Sequence, residues 1–168
     1  MTARAQLKNF AVWVDGRGYA GNAQSYQPPA LALSTEEFRA AGMDGPIRID
    51  TGMEAMSVTI TLTELSAEVQ KRFGLVRNGR TQITARGSVE DFDGTVHAEL
   101  HSMRGTIVRI GPGAWQPGTP PTLEVEMSLD YFRQERDGES VVEVDLVNMM
   151  RVIGGEDQLA ARRDAMGI

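Results

Sequence analysis

Met56-Ser57-Val58-Thr59-Ile60-Thr61-Leu62-Thr63 is the stretch that decides the fold class. Met56, Val58, Ile60 and Leu62 alternate with hydroxyl side chains, so the period is two. Successive side chains of a strand point to opposite faces, and this one therefore buries one face and leaves the other solvated. Outward from it the same period recurs, broken by glycine-rich turns, which argues for a mainly antiparallel β domain. Toward the N-terminus, Asn9 to Val14 reads as a first strand. It is closed by the turn Asp15-Gly16-Arg17-Gly18-Tyr19-Ala20-Gly21, which needs a positive φ at Gly16 or Gly18. A second extended piece, Ala30 to Arg39, follows Pro28-Pro29, a pair that cannot sit in a central strand. Ala40 to Met53 is then a long glycine-punctuated loop holding a short strand, Ile47 to Asp50.

Toward the C-terminus, Ser66 is placed to cap a short helix ending at Gly74, with Val69 and Phe73 on one face. Arg80 to Glu90 and Thr95 to Ile110 form a long hairpin around Asp93-Gly94, a strong turn dipeptide. After a Pro/Gly loop, Leu123 to Arg133 pairs with Ser140 to Met149 through Asp137-Gly138. Glu156 to Ile168 closes the chain as a second short helix. The expectation is one domain over residues 1–168: mainly β, an antiparallel sandwich or barrel with one or two short helices.

Composition narrows the function classes. There are 168 residues, no cysteine, two histidines and a net charge of −6. Lack of cysteine removes disulfides, thiolate metal sites and a cysteine nucleophile. Between Pro121 and Val147 stand eight acids and two bases, while the rest of the chain balances at 15 of each. No basic footprint for gripping nucleic acid is present. The N-terminus lacks the apolar core of a signal peptide, and no run approaches the ~20 apolar residues of a bilayer span. A soluble protein of the cytoplasm is expected.

Candidate chemistry is sparse. His97 and His101 are four apart, but in a strand that spacing is ~13 Å, too far to share a metal. No Gly-x-Ser-x-Gly elbow is present, and the glycine-rich turn after Val14 lacks the Lys-Ser/Thr of a phosphate loop. Trp13 is expected in the core, and Trp115 is expected to pin its loop to the domain. What remains is acidic patterning. Glu124, Glu126 and Asp130 alternate with Leu123, Val125, Met127 and Leu129, and Glu143 and Asp145 alternate with Val142, Val144 and Leu146. Such a hairpin would present a field of like charge, either a solvated outer face or a surface that repels something anionic. An aromatic-lined concave face, which a sugar- or peptide-binding module would need, is not evident.

Four stretches carry a family resemblance. They are Leu7–Gly21 (LKNFAVWVDGRGYAG), Glu36–Met56 (EEFRAAGMDGPIRIDTGMEAM), Met103–Phe132 with its Pro-Gly-x-Trp-x-Pro-Gly loop, and Val142–Gly155. In order and spacing they resemble the major tail tube proteins of contractile-tailed phages, whose relatives include the tubes of phage-tail-like bacteriocins. Ala41 departs from a usual glycine. The resemblance implies a structural subunit and not an enzyme, with no cofactor. It would assemble as stacked hexameric rings around a channel for DNA or ions. A sheath protein would lie outside, a tape-measure protein in the lumen, and a baseplate or initiator and a terminator at the ends. DNA would pass without specific binding, within a virion tail or tail-like particle assembled in the host cytoplasm. On this reading Glu124, Glu126, Asp130, Glu143 and Asp145 are candidate lumen residues. Gly42, Met43, Asp44, Gly45, Ile47 and Met53 form a candidate ring-contact loop, mobile in the monomer, because the segment has no obvious way to bury its apolar side chains.

Overall fold

The structure, a computed structural model, describes residues 5–19, 22–74 and 80–168. In chain order the elements are β1 (Gln6–Val14), β2 (Arg17–Gly18), β3 (Ala23–Gln27), β4 (Leu33–Phe38), β5 (Ile47–Met53), β6 (Met56–Leu62) and α1 (Ala67–Gln70). There follow β7 (Thr81–Glu90), β8 (Val96–Pro112), β9 (Leu123–Arg136), β10 (Glu139–Asp145), β11 (Met150–Ile153), β12 (Glu156–Asp157) and α2 (Ala160–Met166). The fold is mainly antiparallel β with two short helices, as the period-two patterning predicts. Ten strands share one sheet, and β4 and β5 make a separate pair. Among the described residues no helix is long and apolar enough to cross a membrane.

β9 organises the sheet. It pairs with β8 along its whole length, with β6 through Leu123–Leu129, and with β10 through Tyr131–Arg136. The apolar alternates of β6 (Met56, Val58, Ile60, Leu62) and β9 (Leu123, Val125, Met127, Leu129) are buried together with Val12, Ile83, Met103 and Ile107. All lie on one face of the sheet, so that face must close on itself. Tyr26 shows how. It sits on β3, beyond β6 from β9, yet its hydroxyl hydrogen-bonds His101 Nδ1 on β8 at 2.8 Å. In a flat sheet three strand spacings, ~14 Å, would separate them. The sheet curls until β3 packs over β8.

Alternation along β9 slips once. Leu129 stands opposite Gly105 and Tyr131 opposite Arg104, leaving Asp130 as the extra residue of a bulge. Burial accordingly resumes at Phe132 rather than Tyr131. The strands approach so closely here that a Cβ on Gly105 would lie 2.1 Å from the Ser128 carbonyl oxygen. Only glycine fits.

Several expectations are corrected. β10 stops at Asp145 rather than running to Met149, because the Asp145 carboxylate accepts from the Val147 and Asn148 backbone amides and reverses the chain. Ser66 makes no side-chain cap bond to α1; its hydroxyl pairs with the buried Tyr19 hydroxyl at 2.8 Å. α1 is too short to bring Phe73 onto the Val69 face, and Phe73 is exposed. Trp13 lies on the face away from the core, beneath the Arg86 guanidinium. Trp115 is 78% exposed and pins nothing. In the first turn the positive φ falls at Gly16, while Ala20 and Gly21 lie outside the described residues. The largest change is within Ala40–Met53: residues 40–46 turn the chain as expected, but the strand that follows is longer than Ile47–Asp50, running Ile47–Met53 and pairing with Leu33–Phe38 as a hairpin arm.

Candidate functional site

The β4–β5 arm pairs Phe38 with Ile47, Glu37 with Arg48, Glu36 with Ile49 and Thr35 with Asp50. Residues directly opposite share a face, so Phe38, Ile47 and Ile49 lie together on one largely apolar face, with Glu36 beside Ile49. Each is about half exposed (50%, 51% and 47%). The other face carries the Glu37–Arg48 pair at 4.0 Å, in full solvent and of little energetic weight. An isolated two-stranded ribbon is marginal in water, and an uncovered apolar face on one is a surface for a partner.

The expected contact residues distribute unevenly over this arm. Gly42, Met43, Asp44 and Gly45 form its tip, where Met43 folds back and its Sδ accepts from the Ala40 amide at 3.2 Å. Ile47 is on the open apolar face. Met53, at the arm's root, is partly buried and packs against the main core. Phe38 and Ile49 belong to the face and were missed by the sequence reading. Ile49 was legible from its i, i+2 spacing to Ile47; Phe38 required the register.

The second surface is the outward face of β9 and its neighbours. Glu124, Glu126 and Asp130 project here, and across β10 Glu143 and Asp145 sit opposite Arg133 and Tyr131. The expected field of like charge is absent, because arginines from adjoining segments interleave. Arg109 bonds Glu124 and lies 3.3 Å from Glu126. Asp130 receives Arg80 at 2.9 Å and Arg104 at 3.1 Å. Glu143 accepts from the Tyr131 hydroxyl at 2.9 Å. Asp145 is only 5% exposed and serves its turn. Burial alone would raise its carboxyl, but the Asn148 amides, Arg104 and the Val147 amide hold it below the usual carboxylate range. The arginines were visible in the sequence as residues; their placement across from the acids was not.

The histidines serve the hairpins. At the tips, His97 Nδ1 meets Asp137 at 2.6 Å and its Nε2 meets Asp91 at 3.3 Å, while the Ala98 amide donates to the same Asp137. The Asp137 hydrogen bond, then Asp91, raise the His97 pKa above its ordinary value. His101 is partly buried against Tyr26 and Phe132, and that burial lowers its pKa. Among the described residues no three His, Asp or Glu side chains are grouped to hold a metal.

The described residues thus carry a projecting arm with an open apolar face and a charge-paired strand face. Comparison with known proteins identifies the family. The family model described as phage tail tube protein FII matches residues 4–167. The tail tube protein of Escherichia phage P2 is 29% identical over 173 aligned positions covering the whole of both chains. The major tail tube protein of Serratia phage KSP20 is 24% identical over 151 positions, covering 89% of this chain and 88% of the relative. The chain belongs to the phage tail tube protein FII family.

Proposed function

We propose that residues 1–168 act as one tail tube domain, a structural subunit without catalytic activity. It assembles into hexameric rings that stack as the inner tube of a contractile tail. The observation that carries this reading is the β4–β5 arm, whose Phe38, Ile47 and Ile49 face has no partner among the described residues. A neighbouring copy covers it. The tip residues Gly42, Met43, Asp44 and Gly45 make part of the same contact, and Ile47 stands at its centre.

The outward strand face lines or borders the channel on this reading, with Glu124, Glu126, Asp130 and Glu143, all partly exposed, along it and Asp145 closing the turn behind. Its chemistry suits passage of DNA. Arg80, Arg104 and Arg109 are already engaged by carboxylates, which leaves these three guanidiniums less able to grip phosphate, while the acids discourage adhesion. The outer wall takes the sheath protein, the lumen holds the tape-measure protein before firing, and a baseplate initiator and a terminator bound the tube. Assembly takes place in the host cytoplasm and the product is a part of the virion tail or of a tail-like particle.

Negative-stain electron microscopy of the purified chain across a concentration series tests the reading. Rings or hollow tubes are expected. Single globules at every concentration, also when baseplate is added as a seed, would overturn it.

A further inference from the structure

Among the described residues the arm shares no backbone ladder with the ten-stranded sheet. Among the described residues one polar contact joins the two: Arg151 of β11 donates to Asp50 Oδ2 of β5 at 3.0 Å. The sequence around Asp50 is arranged for that contact. Between Ser34↔Gly52 and Thr35↔Asp50 the register shifts, so Thr51 is the extra residue of a bulge, and its hydroxyl donates back to the Ser34 carbonyl. A bulge re-aims the side chains beside it. Gly52 has φ +133°, a conformation closed to L side chains, and from it the Gly52 amide donates to Asp50 Oδ1 at 2.7 Å. One carboxylate oxygen is thereby fixed to its own strand and the other is presented to Arg151. The Arg151 side chain is 11% exposed and its Nε has no partner among the described residues, so the Asp50 carboxylate is what satisfies its guanidinium. A cavity of about 270 Å³ lies beside the pair, between Gly52 and Met53 on the arm and Val144, Met149, Leu159 and Arg162 on the body. Packing at the root, where Met53 meets the core, is therefore incomplete.

We propose that Asp50 and Arg151 form the clasp that sets the arm's pose on the body, and that this pose, rather than the arm's own ladder, makes the subunit competent to accept a neighbour. The inference rests on the arm being the contact surface. Asp50 and Arg151 are positioning residues: they orient Phe38, Ile47 and Ile49 and touch no partner themselves. Arg162, the other cation facing Asp50, acts in the same direction at longer range. Breaking the clasp loosens the arm and leaves the curled sheet intact, because the pair contributes nothing to the core of Met56, Val58, Met127 and Ile107.

Amide hydrogen exchange in the dilute monomer tests it. Asp50→Asn and Arg151→Gln are each expected to speed exchange across residues 33–53 about tenfold, the change expected of ~1.4 kcal/mol in a local opening equilibrium, with β6 to β9 unaffected. Unchanged arm exchange in both single variants overturns the clasp. A loosened arm in a chain that still forms tubes at the wild-type concentration leaves the clasp standing and overturns the arm's role in assembly. Should the body amides lose protection as well, acid titration of the unmodified chain decides. As pH falls through the titration of Asp50, amide signals of the arm broaden before those of the body; simultaneous loss overturns the proposal.

Discussion

The curled sheet and the arm are built from the same sequence device and end in opposite states. In β6 the alternation Met-x-Val-x-Ile-x-Leu meets Leu129, Met127, Val125 and Leu123 side by side and is buried to 1–2%. In β5 the alternation Ile47-x-Ile49 meets Phe38 and stays half exposed. Patterning fixes which face is apolar but not what covers it. In the body, β3 folds over β8 and the sheet supplies its own lid; among the described residues the two-stranded arm has no third strand and no opposing layer. A neighbour supplies the lid on the assembly reading. The two regions therefore respond differently to the same kind of mutation.

Gly105→Ala is the severest way to break the body. Its Cβ would stand 2.1 Å from a backbone carbonyl oxygen that cannot swing aside. A loss of about 3 kcal/mol or more is expected from such forced overpacking, read by urea denaturation. A variant of wild-type stability would show that β8 and β9 can separate at the bulge. Met127→Ala, at 0% exposure between β6 and β8, removes core contacts and is expected to cost ~2–5 kcal/mol. The same measurement on Phe38→Ser with Ile47→Ser is expected to move monomer stability by no more than ~0.5 kcal/mol, while tubes disappear from sedimentation and microscopy. Equal destabilisation by the core and arm variants would erase the distinction between the regions.

Glu126→Lys with Glu143→Lys sharpens the comparison from the body's outward face. These side chains point away from the core, so folding is retained. The exchange leaves Arg109 facing a lysine and opens cations to phosphate, and slower DNA delivery through assembled tubes is expected. Unchanged assembly and delivery would sink the channel assignment. The smallest effect is expected at the hairpin tips. The His97 pKa is raised in the folded chain by Asp137, so the stabilisation is complete below the ordinary histidine pKa of ~6.5 and fades as pH rises through the raised value. His97→Ala should therefore speed amide exchange at Ala98 and Asp137 in mildly acidic buffer and change little in alkaline buffer. Equal effects at both pH values would place the role of His97 in packing alone.

The sequence by itself determined the strand class, the turns at Asp93-Gly94 and Asp137-Gly138, the boundaries of β6, and the common face of Glu124 and Glu126. All follow from local periodicity and turn chemistry, which act over a few residues. It also carried the family resemblance. The tertiary structure decided what depends on register between distant strands. Arg109 neutralises Glu124 only because β8 lies beside β9, Tyr26 meets His101 only because the sheet curls, and Asp130 leaves the alternation through a bulge that no local pattern announces. Likewise Asp50 finds Arg151 across 101 residues of sequence. Side-chain period is local, whereas charge pairing and burial are properties of neighbours, and the neighbours are chosen by the fold.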